Sequence, residues 1–583
     1  MLKRIRRVPF GLLLIIILAL FFRLIWLDRV PNGITDDELI FVLNAKAVFF
    51  TGSDISGAWN PLTFAPIPGI TPMAELPSLI MAPFTGLLPL SLFTSKLPYA
   101  LVSTLLAVLL YLITSKLLGR REAFFVGIVA ALNPWSIFTG RTAYDAPLAI
   151  FFYLLAFLML LYAKNWKILL VFIPLFFGFY SYIATKVIFI PFTLLIVSFS
   201  WLIWNKKKFS KQYLVLLLLC LALFIFFLTS LKFNSTKERL SEISTPNDPK
   251  YAKTVDTERQ LSMKSPLRDV FSNKVVVFGK DSIDKYLKVF STEFLFLKGE
   301  GTSTLSLGNH GYFYYLDFIF IIVGFCVLFK RNRPIWFFIS GLILIAPLPA
   351  VANNLQTGSW VLRSSLLYPM FIFLIGIGIW FIVFLFKRKI FQGLILSALV
   401  ILYTAGVLNF VNIFFFRNPF YNSESFSLSS RVVSNYIQFA GKDGRKVIVT
   451  TNDPKKSFYQ YMFNTNQYNR KNASKIRDLV REEKYEYKNA VFTGCLSNLK
   501  FSKETIYIGG ATSKCGQIDF KYNRQYLNIP RLSDGGPIYT IVNDSICGKY
   551  HLNLFPTDIL VSDFAINDLP EKRFCKQFIT ISQ

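Results

Sequence analysis

Runs of about twenty mostly apolar residues recur along the first 415 positions, and they constrain this chain more than any other feature. A helix needs about 20 such residues to cross the hydrocarbon core of a bilayer. The runs lie at about 8–27, 97–118, 123–139, 146–163, 167–184, 187–204, 212–231, 312–329, 334–351, 364–386 and 390–415. An α-helical polytopic membrane protein of about 11 spans is therefore expected. Composition agrees: 17% of the 583 residues are charged, against about 25% in soluble domains. The 61 Phe exclude a disordered chain.

Lys and Arg number 63 against 34 Asp and Glu, a net charge of +29. Such a balance can mark nucleic-acid binding, but no matching motif is present and many cations cluster between apolar runs. That placement follows the positive-inside rule. Lys3, Arg4, Arg6 and Arg7 precede the first run, and no small-residue cleavage site follows it, so it reads as a retained helix with a cytoplasmic N-terminus. Inner connections then carry Arg120-Arg121, Lys164 with Lys167, Lys206-Lys207-Lys208, Lys330-Arg331 with Arg333, and Lys387-Arg388-Lys389. Short outer connections carry Arg141, Lys186 and Arg363 singly. An odd number of spans leaves everything after Phe416 outside a cell inner or plasma membrane.

Three outer segments are long: 28–96, 232–311 and 416–583. In the first, Pro83 and Pro89 interrupt the apolar stretch Leu76–Leu92, which suits an interfacial or re-entrant helix better than a span. The last has the composition of a soluble domain. Its β-branched runs (Val447–Thr451, Ala490–Thr493, Thr505–Ile508, Ile538–Val542) alternate with helical patterns at Ser430–Phe439 and Ser457–Phe463. The chain thus divides into a membrane part, 1–415, and an extracytoplasmic α/β domain, 416–583. Cys220 and Cys326 fall within spans, whereas Cys495, Cys515, Cys547 and Cys575 fall in the outer domain. Two disulfides are expected there, with sequential pairing preferred among three connectivities. A zinc site is the alternative, and no CxxC spacing favours it.

The candidate chemistry gathers on the outer face. Ile34-Thr35-Asp36-Asp37-Glu38-Leu39 places three consecutive carboxylates just after the first span. Mutual repulsion raises a carboxylate pKa and suits a base or a cation ligand. The same residues also read as a helix start, with Thr35 as N-cap and acids in the first turn. Arg141 lies in Gly140-Arg141-Thr142-Ala143-Tyr144-Asp145; with Lys186 and Arg363 it could form an anion pocket opposite those carboxylates, since Arg presents a fork that fits phosphate. Snorkelling to headgroups is the plainer account of any one of them. Together the groups suit sugar transfer from a lipid phosphate: a carboxylate takes the acceptor's proton while cations stabilise the departing phosphate.

These features resemble the GT-C superfamily of membrane glycosyltransferases, in its protein O-mannosyltransferase-like, aminoarabinose transferase-like and RgtA/B/C/D-like branch. The resemblance covers about residues 8–415. It rests on Asp37-Glu38, Lys96-Leu97-Pro98, Asn133-Pro134-Trp135 through Asp145, Arg363 with Pro369, and the stretch from Asn273-Lys274 through Tyr286 and Phe294-Leu295-Phe296 to Gly311. It implies a polyprenyl-phosphate-sugar donor and an extracytoplasmic acceptor (glycan, lipid or protein). It also implies a first-loop acid as catalytic base, with Asp37 matching best, Glu38 beside it and Asp36 less closely placed. Arg141, Lys186 and Arg363 become donor-phosphate candidates, and Asp145 and His310 further pocket candidates. The chain departs from the pattern at Pro72-Met73-Ala74-Glu75-Leu76-Pro77, where relatives carry a Lys-Pro pair. It departs again at Trp360-Val361-Leu362-Arg363, where a His-x-x-Arg is common.

Two His in the whole chain exclude a His-rich metal site; Mg or Mn on Asp36, Asp37 or Glu38 stays open. Two other classes compete with an enzyme. A transporter or flippase for a lipid-linked glycan would place more charge at mid-membrane and show inverted repeats. A non-catalytic, membrane-anchored surface protein would keep the fold without the chemistry.

Overall fold

A computed structural model describes residues 10–61, 66–67, 73–205, 211–230, 245–301, 304–353, 360–494, 502, 504–510 and 526–581. The clusters at Lys3–Arg7 and Lys206–Lys208, Pro72, and the cysteines Cys495 and Cys515 lie outside the described residues.

Helices occupy each expected apolar run, with boundaries set by caps and prolines. They are α1 (Phe10–Leu24), α2 (Asp36–Thr51), α3 (Leu76–Leu87), α4 (Leu92–Leu117), α5 (Arg120–Leu132), α6 (Pro134–Thr139), α7 (Asp145–Tyr162), α8 (Phe172–Ser181), α9 (Phe189–Ser198) and α10 (Lys211–Ser230). The large outer segment contributes α11 (Pro249–Gln260), α12 (Pro266–Phe271) and α13 (Lys274–Lys288). Then come α14 (Asp317–Arg331), α15 (Arg333–Ile345), α16 (Leu348–Val351), α17 (Trp360–Arg363), α18 (Leu367–Val383) and α19 (Lys389–Val411). Among the described residues six helical stretches are long and apolar enough to cross a membrane, and Phe10–Leu24, Asn165–Ser181 and Leu367–Val383 are shorter apolar helices.

Two boundaries differ from the sequence expectation for physical reasons. The run at 123–139 is two helices, because Pro134 cannot continue α5 and instead opens α6. Asn133 caps that break by accepting from the Ser136 N–H at 3.2 Å, and its amide donates to the Tyr312 carbonyl at 3.2 Å. The second run starts five residues earlier than its apolar content suggests, because Ser91 and Thr94 form a capping box ahead of it. The stretch Leu76–Leu92 contains a helix of 12 residues, α3, too short to span.

Small residues let the apolar helices approach closely. A Cβ on Gly324 of α14 would lie 2.0 Å from the Leu374 carbonyl of α18, and one on Gly378 of α18 would lie 2.3 Å from the Phe320 carbonyl of α14. Backbone contact of this kind replaces the hydrophobic drive that helices lack in lipid.

Beyond α19 come α20 (Asn418–Tyr421), α21 (Leu428–Lys442), α22 (Pro454–Asn464), α23 (Ala473–Arg481) and α24 (Glu571–Phe578). They pack with a seven-stranded sheet: β1 (Lys446–Thr450), β2 (Glu486–Tyr487), β3 (Ala490–Thr493), β4 (Thr505–Gly510), β5 (Leu527–Pro530), β6 (Pro537–Val542) and β7 (Thr580–Ile581). The strand order is β2-β3-β1-β4-β6-β5-β7. Only β1 pairs in parallel, with β3 and β4; the other pairings are antiparallel. The apolar run Val447–Val449 fits a strand flanked on both edges and covered by helices. Cys547 and Cys575 form a disulfide with Cα atoms 5.3 Å apart.

Two large hydrophobic clusters result. One fills the apolar helix bundle. The other joins Ile34, Leu39, Phe41 and Val42 of the first outer segment to Val432, Tyr436, Phe458 and Met462 of the C-terminal unit. The first outer segment therefore shares its core with the α/β unit, across the division expected at residue 415.

Candidate functional site

The three carboxylates of the first outer segment occupy the first turn of α2. Thr35 caps the helix by accepting from the Glu38 N–H at 3.3 Å, and the Glu38 carboxylate accepts from the Thr35 N–H at 2.8 Å. The other Glu38 oxygen accepts from the Ala143 N–H, and the side chain is fully buried. Glu38 thus ties α2 to the segment opening α7. Consecutive helical residues fan out by about 100°, so its neighbours point elsewhere. Asp36 is exposed and pairs with Lys456 of α22 at 2.7 Å. Asp37 is exposed on the same turn. Burial first, then the charges of Glu38 and Asp37, hold the Tyr144 hydroxyl well above its usual range. The bond from Ala143 to Glu38 lays this turn, with Asp37 on it, against the Gly140–Asp145 segment.

Three buried cations around this turn, Arg141, Lys96 and Arg431, act on backbone. Arg141 is fully buried, and its five N–H groups reach main-chain carbonyls in the last turn of α1 and the turn that follows it. Nε donates to Val30 at 3.2 Å; Nη1 to Phe22 at 3.0 Å and Arg23 at 3.2 Å; Nη2 to Trp26 at 3.0 Å and Val30 at 2.7 Å. The last carbonyls of a helix need such partners. The fork expected to meet a donor phosphate is thus engaged with main-chain carbonyls. Lys96 does similar work, its Nζ donating to Pro31 and Gly33 carbonyls at 2.9 Å each. Arg431 of α21 donates to the Asn32 carbonyl at 2.9 Å. Residues 30–33 are thereby pinned from three sides just ahead of the α2 cap.

The other two outer cations stand in different surroundings. Lys186 is buried and lies 3.4 Å from the Glu75 carboxylate, with its ammonium 4.2 Å from the centre of the Phe227 ring. Burial raises the Glu75 pKa and the Lys186 charge opposes that rise. The second Glu75 oxygen is buried without a hydrogen-bond partner. Arg363 closes α17, and its Nη1 is likewise buried without a partner among the described residues. Glu300 lies nearby and accepts from the Trp360 and Val361 N–H groups at 3.1 and 3.2 Å. Burial pushes its carboxyl up to about 7, against the pull of those N–H groups and of Arg363.

Asp145 is half-buried at the first position of α7, where an acid suits the helix dipole. His310 is buried, its Nδ1 2.6 Å from the Gly311 carbonyl and its ring against Tyr314 and Phe410. Burial lowers its pKa, and the bond to the Gly311 carbonyl opposes that shift. It serves packing.

Among the described residues no three His, Cys, Asp or Glu side chains are grouped to hold a metal ion. The fan of α2 explains this for Asp36, Asp37 and Glu38: one faces Lys456 and another is saturated by backbone N–H groups. The structure brings Asp37, Glu38, Tyr144 and Asp145 into one neighbourhood. It also reveals buried Glu75 and Lys96 and half-buried Glu300 as charged groups that sequence reasoning did not single out as site residues. Glu75 had a signal, since it lies in the segment 72–77 where the chain departs from the resembled pattern.

No family model and no curated protein matches the chain. Distant likenesses appear among solved structures. ArnT from Cupriavidus metallidurans bound to undecaprenyl phosphate is 13% identical, with a TM-score of 0.41 over 80% of this chain and 76% of that one. The archaeal oligosaccharyltransferase AglB from Archaeoglobus fulgidus, in complex with an inhibitory peptide and a dolichol-phosphate, is 11% identical. Its TM-score is 0.41 over 92% of this chain and 74% of that one.

Proposed function

We propose that this chain is an integral-membrane glycosyltransferase that moves a sugar from a polyprenyl-phosphate donor to an extracytoplasmic acceptor, with Asp37 as general base. In this reading the N-terminus is cytoplasmic and the C-terminal domain extracytoplasmic. The observation that carries it is the division of labour on the first turn of α2. Glu38 is consumed in locking that turn to Ala143, while Asp37 stays exposed on a rigid helix start beside Tyr144. The resemblance to GT-C enzymes puts the base at this position.

Asp37 takes the proton of an acceptor hydroxyl as its oxygen attacks the anomeric carbon. The carbon–oxygen bond to the phosphate breaks, and the polyprenyl phosphate leaves with the electron pair. Arg363, with a buried Nη1 awaiting an acceptor, is the best placed of the three cations to bind that phosphate. Lys186 would join it only by leaving Glu75, and Arg141 takes no part. One observation favours a non-catalytic reading instead: Glu38 and Arg141, both drawn from the motifs, perform structural work.

The test uses protein reconstituted in nanodiscs, radiolabelled polyprenyl-phosphate sugars and a membrane extract as acceptor source. Wild type should consume one donor, and Asp37→Asn should be slower by about 10²-fold or more. Equal rates would remove Asp37 from the mechanism. No consumption of any donor by folded protein would favour the non-catalytic reading.

A further inference from the structure

We infer that the outer segment from Leu261 to Lys288 is an interfacial clip that inserts its apolar face into the outer leaflet and prefers anionic lipid. Leu261 and Met263 are 84% and 92% exposed, and Leu267, Val270 and Phe271 of α12 are exposed as well. A run of large apolar side chains this open is rare on a surface facing water alone.

The geometry of α13 continues the same face. Its Val277 and Phe278 pack on Tyr251 and Val255 of α11. At about 100° per residue, Val275, Ile283 and Leu287 lie on the other side of the helix, and all three are exposed. Nothing among the described residues covers this side.

The occupant follows from where the helix is tethered. Tyr286 donates its hydroxyl to the Leu344 carbonyl at 2.9 Å, and Lys285 donates to the Asn353 carbonyl at 2.7 Å. Leu344 belongs to the membrane-length stretch Arg333–Val351, and its own side chain is exposed, as is Phe337 on the same helix. Given that this stretch crosses the membrane, α13 is anchored at the depth where the lipid-facing belt of α15 ends. Its open apolar side continues that belt.

Charge supplies the lipid preference. Between Leu261 and Lys288 six Lys and Arg stand against three Asp. Lys285 and Lys288 are paired with Asp281 and Asp284, whereas Lys264, Lys274 and Lys280 form no ion pair among the described residues. Lysines flanking an apolar face extend their ammonium groups to headgroups, where an anionic surface attracts them. The inference concerns the membrane surface and is independent of the transferase reading.

The test places a photo-crosslinking residue at position 263 or 271 of the full chain, with position 256 on polar α11 as control. Nanodiscs of phosphatidylcholine, with or without phosphatidylglycerol, are irradiated and lipid adducts are read by mass spectrometry. Positions 263 and 271 should give severalfold more lipid adduct than 256. Lys264→Gln with Lys274→Gln should abolish any gain on adding phosphatidylglycerol. Folded protein with adducts no higher at 263 and 271 than at 256 would overturn the inference. So would crosslinks in native membranes that run mainly to another protein. Lipid adducts indifferent to phosphatidylglycerol would overturn the anionic preference.

Discussion

A guanidinium carries five N–H donors in a rigid fork, and Arg141 spends all five on carbonyls at 22, 23, 26 and 30. An ammonium has three donors and no fork. Arg141→Lys therefore leaves buried carbonyls open, and each charge-assisted bond lost costs about 1.5–3 kcal/mol. The expected result is a loss of about 3 kcal/mol or more, read as a lower thermal midpoint in detergent. Asp37→Asn, at an exposed position, should leave that midpoint nearly unchanged. An Arg141→Lys variant as stable as wild type would contradict the capping role. Sequence reasoning took Arg141 for an anion ligand because it sees a lone cation in a polar loop. Which oxygens surround that cation is a matter of three dimensions.

At the scale of elements, short α17 depends on a residue 60 positions earlier. Both Glu300 oxygens accept N–H groups from its first turn. Burial nevertheless holds the Glu300 carboxyl at about 7, above the ordinary 4.5. The folded chain thus keeps a proton that the unfolded chain has already released between those values, so this group's contribution falls as pH rises from about 4.5 to 7. Below that window the contribution is fully present. Glu300→Gln should flatten the dependence of the thermal midpoint on pH across this range. An unchanged slope would assign the dependence to other groups. The α2 start was legible from sequence, because Thr35 followed by acids is a local signal. The Glu300 cap was not, because its partners come from distant loops.

On the scale of the whole molecule, the first outer segment is a joint. It shares a hydrophobic core with α21 and α22, pairs Asp36 with Lys456, and presses Gly33 against the backbone of the C-terminal unit. A Cβ on Gly33 would lie 1.9 Å from the Phe426 carbonyl oxygen. Gly33→Ala must push the two units apart, at about 1–3 kcal/mol for overpacking. Faster proteolysis within residues 416–430 and a lower thermal midpoint should report it. Unchanged protection would mean the joint is slack.

Local pattern was enough for much of this protein. Runs of apolar residues determined a membrane chain, since no other medium accepts so much hydrocarbon. β-branched runs marked β1, β3, β4 and most of β6, and Thr35 marked the start of α2. Short β7 and Pro-ended β5 left too little pattern to read. Only the tertiary structure decided what the charges do, that Glu38 and Arg141 hold backbone and that Lys186 faces Glu75, and that Ile34, Leu39, Phe41 and Val42 share a core with the C-terminal unit. Periodicity is written in neighbours along the chain. A buried charge takes its meaning from whichever oxygen or nitrogen folding brings beside it.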